Sequence, residues 1–198
     1  MPVLGKRLVL ASKNPGKLRE LRALFGGRGV EVIGLDPAAP DVEETGRTFE
    51  ENALIKARAA SAATGLPALG EDSGIAIDAL GGEPGVRSAR WVPGSDEDRV
   101  NALLARMDGL AKAQRTGRYV SVIAIVTPEG REELFRGEME GWITEAPRGT
   151  GGFGYDPVFE LEDGRTVAEI SMEEKNRISH RSRALAKCLE RLDDLLGG

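Results

Sequence analysis

Residues Tyr119–Met139 read YVSVIAIVTPEGREELFRGEM, and the fold class turns on this stretch. The apolar run Tyr119–Thr127 and the run Glu132–Met139 flank Pro128-Glu129-Gly130. Two strand-like runs joined by a short glycine-bearing turn predict a β-hairpin, hence antiparallel pairing. Upstream the pattern differs. Arg7–Ala11 (RLVLA) reads as a short buried strand, and Lys17–Phe25 as a helix with Leu18, Leu21, Leu24 and Phe25 on one face. Gly26-Gly27 ends that helix, and Val30–Leu35 reads as a second strand. Alternating strand and helix followed by a central hairpin predicts an α/β fold with a mixed twisted sheet and flanking helices.

The remaining segments fit this frame. Thr48 and Glu51 have capping-box spacing and open an Ala-rich helix that ends near Gly65-Leu66-Pro67. Ala68–Leu80 reads as strand, turn and strand around Glu71-Asp72-Ser73-Gly74, followed by a loop at Gly81–Gly85. Ser95 and Asp98 form a second capping box and open a helix through about Met107. Pro147–Pro157 is a long loop, and Ser171 with Glu174 is a third capping box. The last helix starts near Lys175–Arg181 and places Leu185, Cys188, Leu189, Leu192 and Leu196 on one stripe. No repeat, low-complexity tract or linker divides the 198 residues, so one domain over 1–198 is expected.

Composition narrows the chemistry. The chain has 40% apolar and 30% charged residues, with 27 Lys+Arg against 32 Asp+Glu and a net charge of −5. That balance argues against a nucleic-acid-binding surface, which needs a basic face. No apolar run approaches the roughly 20 residues that span a bilayer, and no secretory h-region is evident, so a cytoplasmic location is expected. One Cys and one His exclude an internal disulfide and Cys- or His-rich zinc sites. A catalytic metal would therefore need carboxylate ligands. Two features stand out: 26 glycines, and only nine aromatics (5 Phe, 2 Trp, 2 Tyr).

Four segments could carry chemistry. Ser12-Lys13-Asn14-Pro15-Gly16-Lys17 lies between a strand and a helix, where free backbone N–H groups and two lysines would suit an anion. Ala11 and Leu18 rule out a Walker A loop, and a polar turn with solvated lysines is an equal reading. Glu43-Glu44 precedes a helix, and Glu71-Asp72 sits at the end of an apolar strand. A strand-end carboxylate can hold Mg²⁺ or orient a water, and Asp72 favours that role over a turn role. Glu44 reads better as a solvated loop residue. Gly149, Gly151, Gly152 and Gly154 interleave with Phe153 and Tyr155, which suits close backbone approach and stacking on a base. Lys175-Asn176-Arg177-Ile178-Ser179-His180-Arg181 offers donors in Lys175, His180 and Arg181. Arg177 and Arg183 read as solvated, and Cys188 as core packing.

The joint order SKNPGK, EETG with TFEENALIKA, EDSGIAIDALGG, GTGGFGYDPVF and EEKNRISHRSRAL resembles the inosine/xanthosine triphosphate pyrophosphatase family, from about Leu8 to Leu192. The resemblance implies two lobes around a central substrate cleft and a homodimeric enzyme. Its reaction is Mg²⁺-dependent cleavage of ITP, dITP or XTP between the α and β phosphates. It implies phosphate contacts from Ser12, Lys13, Asn14, Pro15, Gly16 and Lys17. Glu43 and Asp72 become Mg²⁺ ligands, with Asp72 also the proton acceptor. Substrate contacts are implied for Ser73, Phe153, Gly154, Tyr155, Asp156, Lys175, His180 and Arg181. A 6-carbonyl on the base suits donors such as Arg181 or His180, whereas the amino group of adenine would leave them unpaired. Related pyrimidine-nucleotide pyrophosphatases and a non-catalytic nucleotide binder are the competing readings.

Overall fold

A computed structural model of the chain describes residues 6–197. The alternating N-terminal pattern gives β1 (Lys6–Leu10), α1 (Pro15–Gly26) and β2 (Val30–Gly34). Strands β1 and β2 pair in parallel from Lys6 opposite Val30 to Leu10 opposite Gly34. Helix α2 (Phe49–Thr64) leads to β3 (Ala68–Ile77), which pairs in parallel with β1 at Val9–Ala68 and Leu10–Leu69. Then come α3 (Asp96–Arg106), the hairpin of β4 (Thr116–Val126) and β5 (Glu132–Ile143), and the short β6 (Phe159–Glu160). Helices α4 (Met172–Ile178) and α5 (His180–Leu196) close the chain. The sheet runs β2-β1-β3-β4-β5-β6, with β5 and β6 antiparallel, so it is mixed as its pattern predicts.

Two compact units divide the chain. The first comprises the residues up to Asp72, Val122–Arg136 and the residues from Ala184 onward; the second comprises Ser73–Ser121 and Gly137–Arg183. Each has its own core. In the first, Leu8, Leu10, Leu21, Phe25, Ile123 and Ile125 meet Leu185, Cys188, Leu192 and Leu195 of α5. Burial pushes the Cys188 thiol up to about 12, as expected of an inert packing residue. In the second, Ile75, Ile77, Leu103, Met107, Ile143, Val158 and Phe159 cluster. Buried Arg115 is satisfied there by the carbonyls of Met107, Ile143 and Thr144, at 2.6–2.7 Å.

Three expectations are corrected. Strand β3 runs unbroken through Glu71–Gly74 instead of turning. The Asp72 side chain receives donors from α2, so it forms no local Asx turn. Strand β5 continues past Met139 because Trp142 and Ile143 pair with Glu160 and Phe159. The last helix is two: Ser179 is extended at ψ 154° and its hydroxyl accepts the Ser182 N–H at 3.2 Å, capping α5. Ser95 and Asp98 make the full reciprocal box. Thr48 and Ser171 each cap their helix, but Glu51 turns back to the Arg47 N–H and Glu174 to Arg165.

Small residues set the spacing of α2 against β3. Ala53 and Ala57 are fully buried, and a Cβ on Gly70 would meet the Ala53 carbonyl, with the Ala57 nitrogen at 2.7 Å. Gly70→Ala should therefore cost about 1–3 kcal/mol through forced separation of the helix from the strand. A lower urea midpoint at unchanged m-value would confirm this, and an unchanged midpoint would refute it.

Candidate active site

In the first unit, the close approach of α2 to β3 puts two polar side chains beside Asp72. Asn52, fully buried, donates to Asp72 Oδ2 at 3.2 Å and accepts the Gly46 N–H at 2.8 Å. Lys56 Nζ lies 3.2 Å from Asp72 Oδ1 and 2.8 Å from Glu44 Oε1. Asp72 is itself only 8% exposed. Burial pushes its carboxyl above the ordinary value, Lys56 and Asn52 pull it back, and nearby Glu44 raises it further. The neighbouring Glu71 is equally buried and pairs with Lys17 at 3.1 Å. Glu43, expected as a metal ligand, is exposed, and its loop partner Glu44 is the one that reaches Lys56.

The Ser12–Lys17 segment corrects one detail of its reading. Asn14 caps α1, its Oδ1 taking the N–H groups of Gly16 at 2.8 Å and Lys17 at 3.2 Å. Pro15 at the first helical position has no N–H, and Leu18 donates to the Asn14 carbonyl. The first-turn donors are thus engaged internally, so cationic character comes from the lysine side chains. Lys13 pairs with Asp41 at 2.8 Å, while Lys17 takes Glu71. The Ser12 hydroxyl accepts the Asn14 N–H at 3.2 Å.

In the second unit, Asp156 organises the glycine loop. It is 2% exposed and accepts from three donors: the Phe153 N–H at 2.9 Å, Lys175 Nζ at 2.5 Å and the Tyr119 hydroxyl at 3.1 Å. A Cβ on Gly152 would overlap the Asp156 carboxylate, and Gly152 also sits at φ +73°, so this position requires glycine. The adjacent Gly154 N–H goes to Asp96 at 2.7 Å. Phe153, held by its backbone, leaves its ring 73% exposed with Lys175 Nζ 4.5 Å from its centroid. Tyr155 is buried, donating to the Ser88 carbonyl at 3.0 Å. His180 stacks on Tyr119 at 5.0 Å and 13°. Arg181 follows it on α5, half-buried, and Ser73 is exposed on β3.

Residues 8–191 match the Ham1 family over nearly the whole chain. The chain belongs to the Ham1 family. A dITP/XTP pyrophosphatase of Symbiobacterium thermophilum is 75% identical over 191 residues, 96% of this chain and 97% of its own. A protein of the same name from Geobacillus kaustophilus is 50% identical, covering 98% and 97%. The Staphylococcus aureus Ham1 structure superposes at TM-score 0.89 with 37% identity, covering 96% of this chain and 99% of its own.

Three residues of this Ham1 chain were not singled out by sequence. Asn52 and Lys56 stand four apart on an alanine-lined helix face, which is a signal for polar groups aimed at the sheet. Tyr119 gave none, since it reads as core strand, and Glu44, weighed as a solvated loop residue, instead pairs with Lys56.

Tyr155 provides a pH test of the second unit. Burial pushes its phenol from 10 up to about 12, with smaller opposing effects from Arg99 and Asp96. The folded state holds this proton more tightly than the unfolded chain. The resulting stability is complete below pH 10 and is lost as pH rises toward about 12. Thermal melts should show the wild-type advantage over Tyr155→Phe shrinking across that interval. A gap independent of pH would contradict the assignment.

Proposed function

We propose that this chain is a nucleoside triphosphate pyrophosphatase, hydrolysing deaminated purine nucleotides (ITP, dITP and XTP) to the monophosphate and pyrophosphate and so cleansing the nucleotide pool. The observation that carries this is the 75% identity, over 96% of the chain, to a protein named dITP/XTP pyrophosphatase. The whole chain acts as one catalytic domain. It works as a homodimer in the cytoplasm, and light scattering at twice the monomer mass checks the first point. No helix among the described residues is long and apolar enough to cross a membrane.

Asp72 accepts the proton of the attacking water as the α–β phosphoanhydride bond breaks. Its burial makes it a stronger base than a solvated carboxylate, while Asn52 and Lys56 fix its two oxygens. Lys13, Lys17 and Ser12 bind phosphate oxygens, Phe153 stacks on the base, and Lys175, His180 and Arg181 supply donors. The acidic donors near Asp72 are all oxygen, which suits Mg²⁺ and not a soft metal. Asp72, with a carboxylate of the Glu43-Glu44 pair, would hold it. Among the described residues no three His, Cys, Asp or Glu side chains form a metal cage. Magnesium needs only one or two carboxylates with phosphates and water. When bound, it supplies charge stabilisation for the leaving pyrophosphate.

A pyrophosphate-release panel over purine and pyrimidine triphosphates tests the specificity. ITP and XTP should exceed ATP and GTP in kcat/KM by at least about tenfold, the scale of one unpaired polar group. Equal rates would remove the deaminated-purine assignment. Asp72→Asn should lower kcat by about 10²–10⁴-fold while nucleotide binding stays measurable by calorimetry. Retained turnover would exclude Asp72 as the base. Chelation by EDTA should abolish turnover, and Mg²⁺ titration of Glu43→Gln and Glu44→Gln identifies the second ligand by the variant that needs more metal.

A further inference from the structure

Tyr119 belongs to none of the segments that the sequence marked for chemistry, yet it touches two of them. It lies on β4, with its phenol buried, in the core of the second unit. Its hydroxyl donates to Asp156 Oδ1 at 3.1 Å, whereas the Phe153 N–H and Lys175 Nζ both address Oδ2. The opposite carboxylate oxygen is therefore oriented by this phenol. Its ring packs on Phe159 at 4.6 Å with a 46° tilt, and lies nearly parallel to the His180 imidazole at 5.0 Å. A strand residue thus touches both His180 and Asp156, and Asp156 also accepts from Phe153 and Lys175.

We propose that Tyr119 is a positioning residue for base recognition, holding His180 and the Phe153–Asp156 loop in the geometry that discriminates between purine bases. This rests on the pyrophosphatase reading above. Burial and the neighbouring Asp156 raise the phenol well above 10, so it remains an O–H donor at any working pH. Strand residues suit this task, because a group held in a packed sheet loses little further freedom when substrate binds.

The chain contains a single histidine, so one imidazole signal reports on the contact. The test compares wild-type, Tyr119→Phe and Tyr119→Leu full-length proteins by proton–carbon NMR of His180 and by steady-state kinetics with ITP and GTP. Tyr119→Phe keeps the ring and removes the hydroxyl. It should preserve the ring-current shift of His180 but raise KM for ITP by about tenfold, with a smaller change in kcat. Tyr119→Leu should lose the ring-current shift and narrow the ITP-to-GTP ratio of kcat/KM. A purely structural role would lower the melting temperature and leave KM and the selectivity ratio untouched, and that result overturns the proposal. If Tyr119→Leu does not fold, an unchanged KM and selectivity ratio in Tyr119→Phe overturns it alone. Wild-type protein that fails to prefer ITP over GTP defeats the substrate reading instead, and the KM of Tyr119→Phe for the triphosphate it does turn over still decides the positioning role.

Discussion

The burial of Asp72 is the constraint on which the first unit depends. Removing an unpaired carboxylate from water costs several kcal/mol, enough to consume much of a domain's net stability. The cost is borne because Lys56 lies 3.2 Å from one oxygen and Asn52 lies 3.2 Å from the other. Both donors come from one helix, so α2 must lie close to β3. Ala53, Ala57 and Gly70 make that approach possible, as larger side chains at these positions would hold the helix off the strand. Asn52 extends the same network to the acidic loop, since its carbonyl takes the Gly46 N–H. Packing small residues and placing a buried carboxylate are here one structural requirement.

The second unit solves the same problem at Asp156 by different means. Its donors come from a loop backbone, a helix lysine and a strand phenol, so three separate elements converge on one side chain. The glycines around it follow from this convergence. A side chain at Gly152 would compete for the volume that the carboxylate fills. An exposed Phe153 ring is the other consequence. The backbone is tied down on both sides by Asp156 and Asp96, leaving the ring free of the core and available to a flat partner.

What could be read in the sequence followed from how local each feature is. The caps at Thr48, Ser95 and Ser171, the Thr127–Arg131 turn and the N-terminal alternation depend on neighbours within a few residues, and these were legible. The continuity of β3 was not. Glu71-Asp72-Ser73-Gly74 has turn composition, and the strand's place in the sheet between β1 and β4 is a long-range feature that these four residues do not show. Ser179 was hidden for the opposite reason: its capping of α5 is local, but the basic run around it hides the break. At the site, candidate segments were recognisable by residue type, whereas their internal bonding was not. Nothing in SKNPGK says that Asn14 occupies the first-turn N–H groups, and nothing in YVSVIAIV marks Tyr119.

The pairing of the lysines bears on how an acidic chain can act on a polyanion. In the first unit Lys13 faces Asp41, Lys17 faces Glu71, and Lys56 faces both Glu44 and Asp72. Three cations are thereby matched by four carboxylates, and the surroundings of Asp72 carry no net positive charge. A nucleoside triphosphate adds roughly four negative charges, so its binding there would be repulsive unless further positive charge arrived with it. A divalent cation held by Asp72 would supply that charge. The charge balance of these pairs thus supports the metal dependence proposed above.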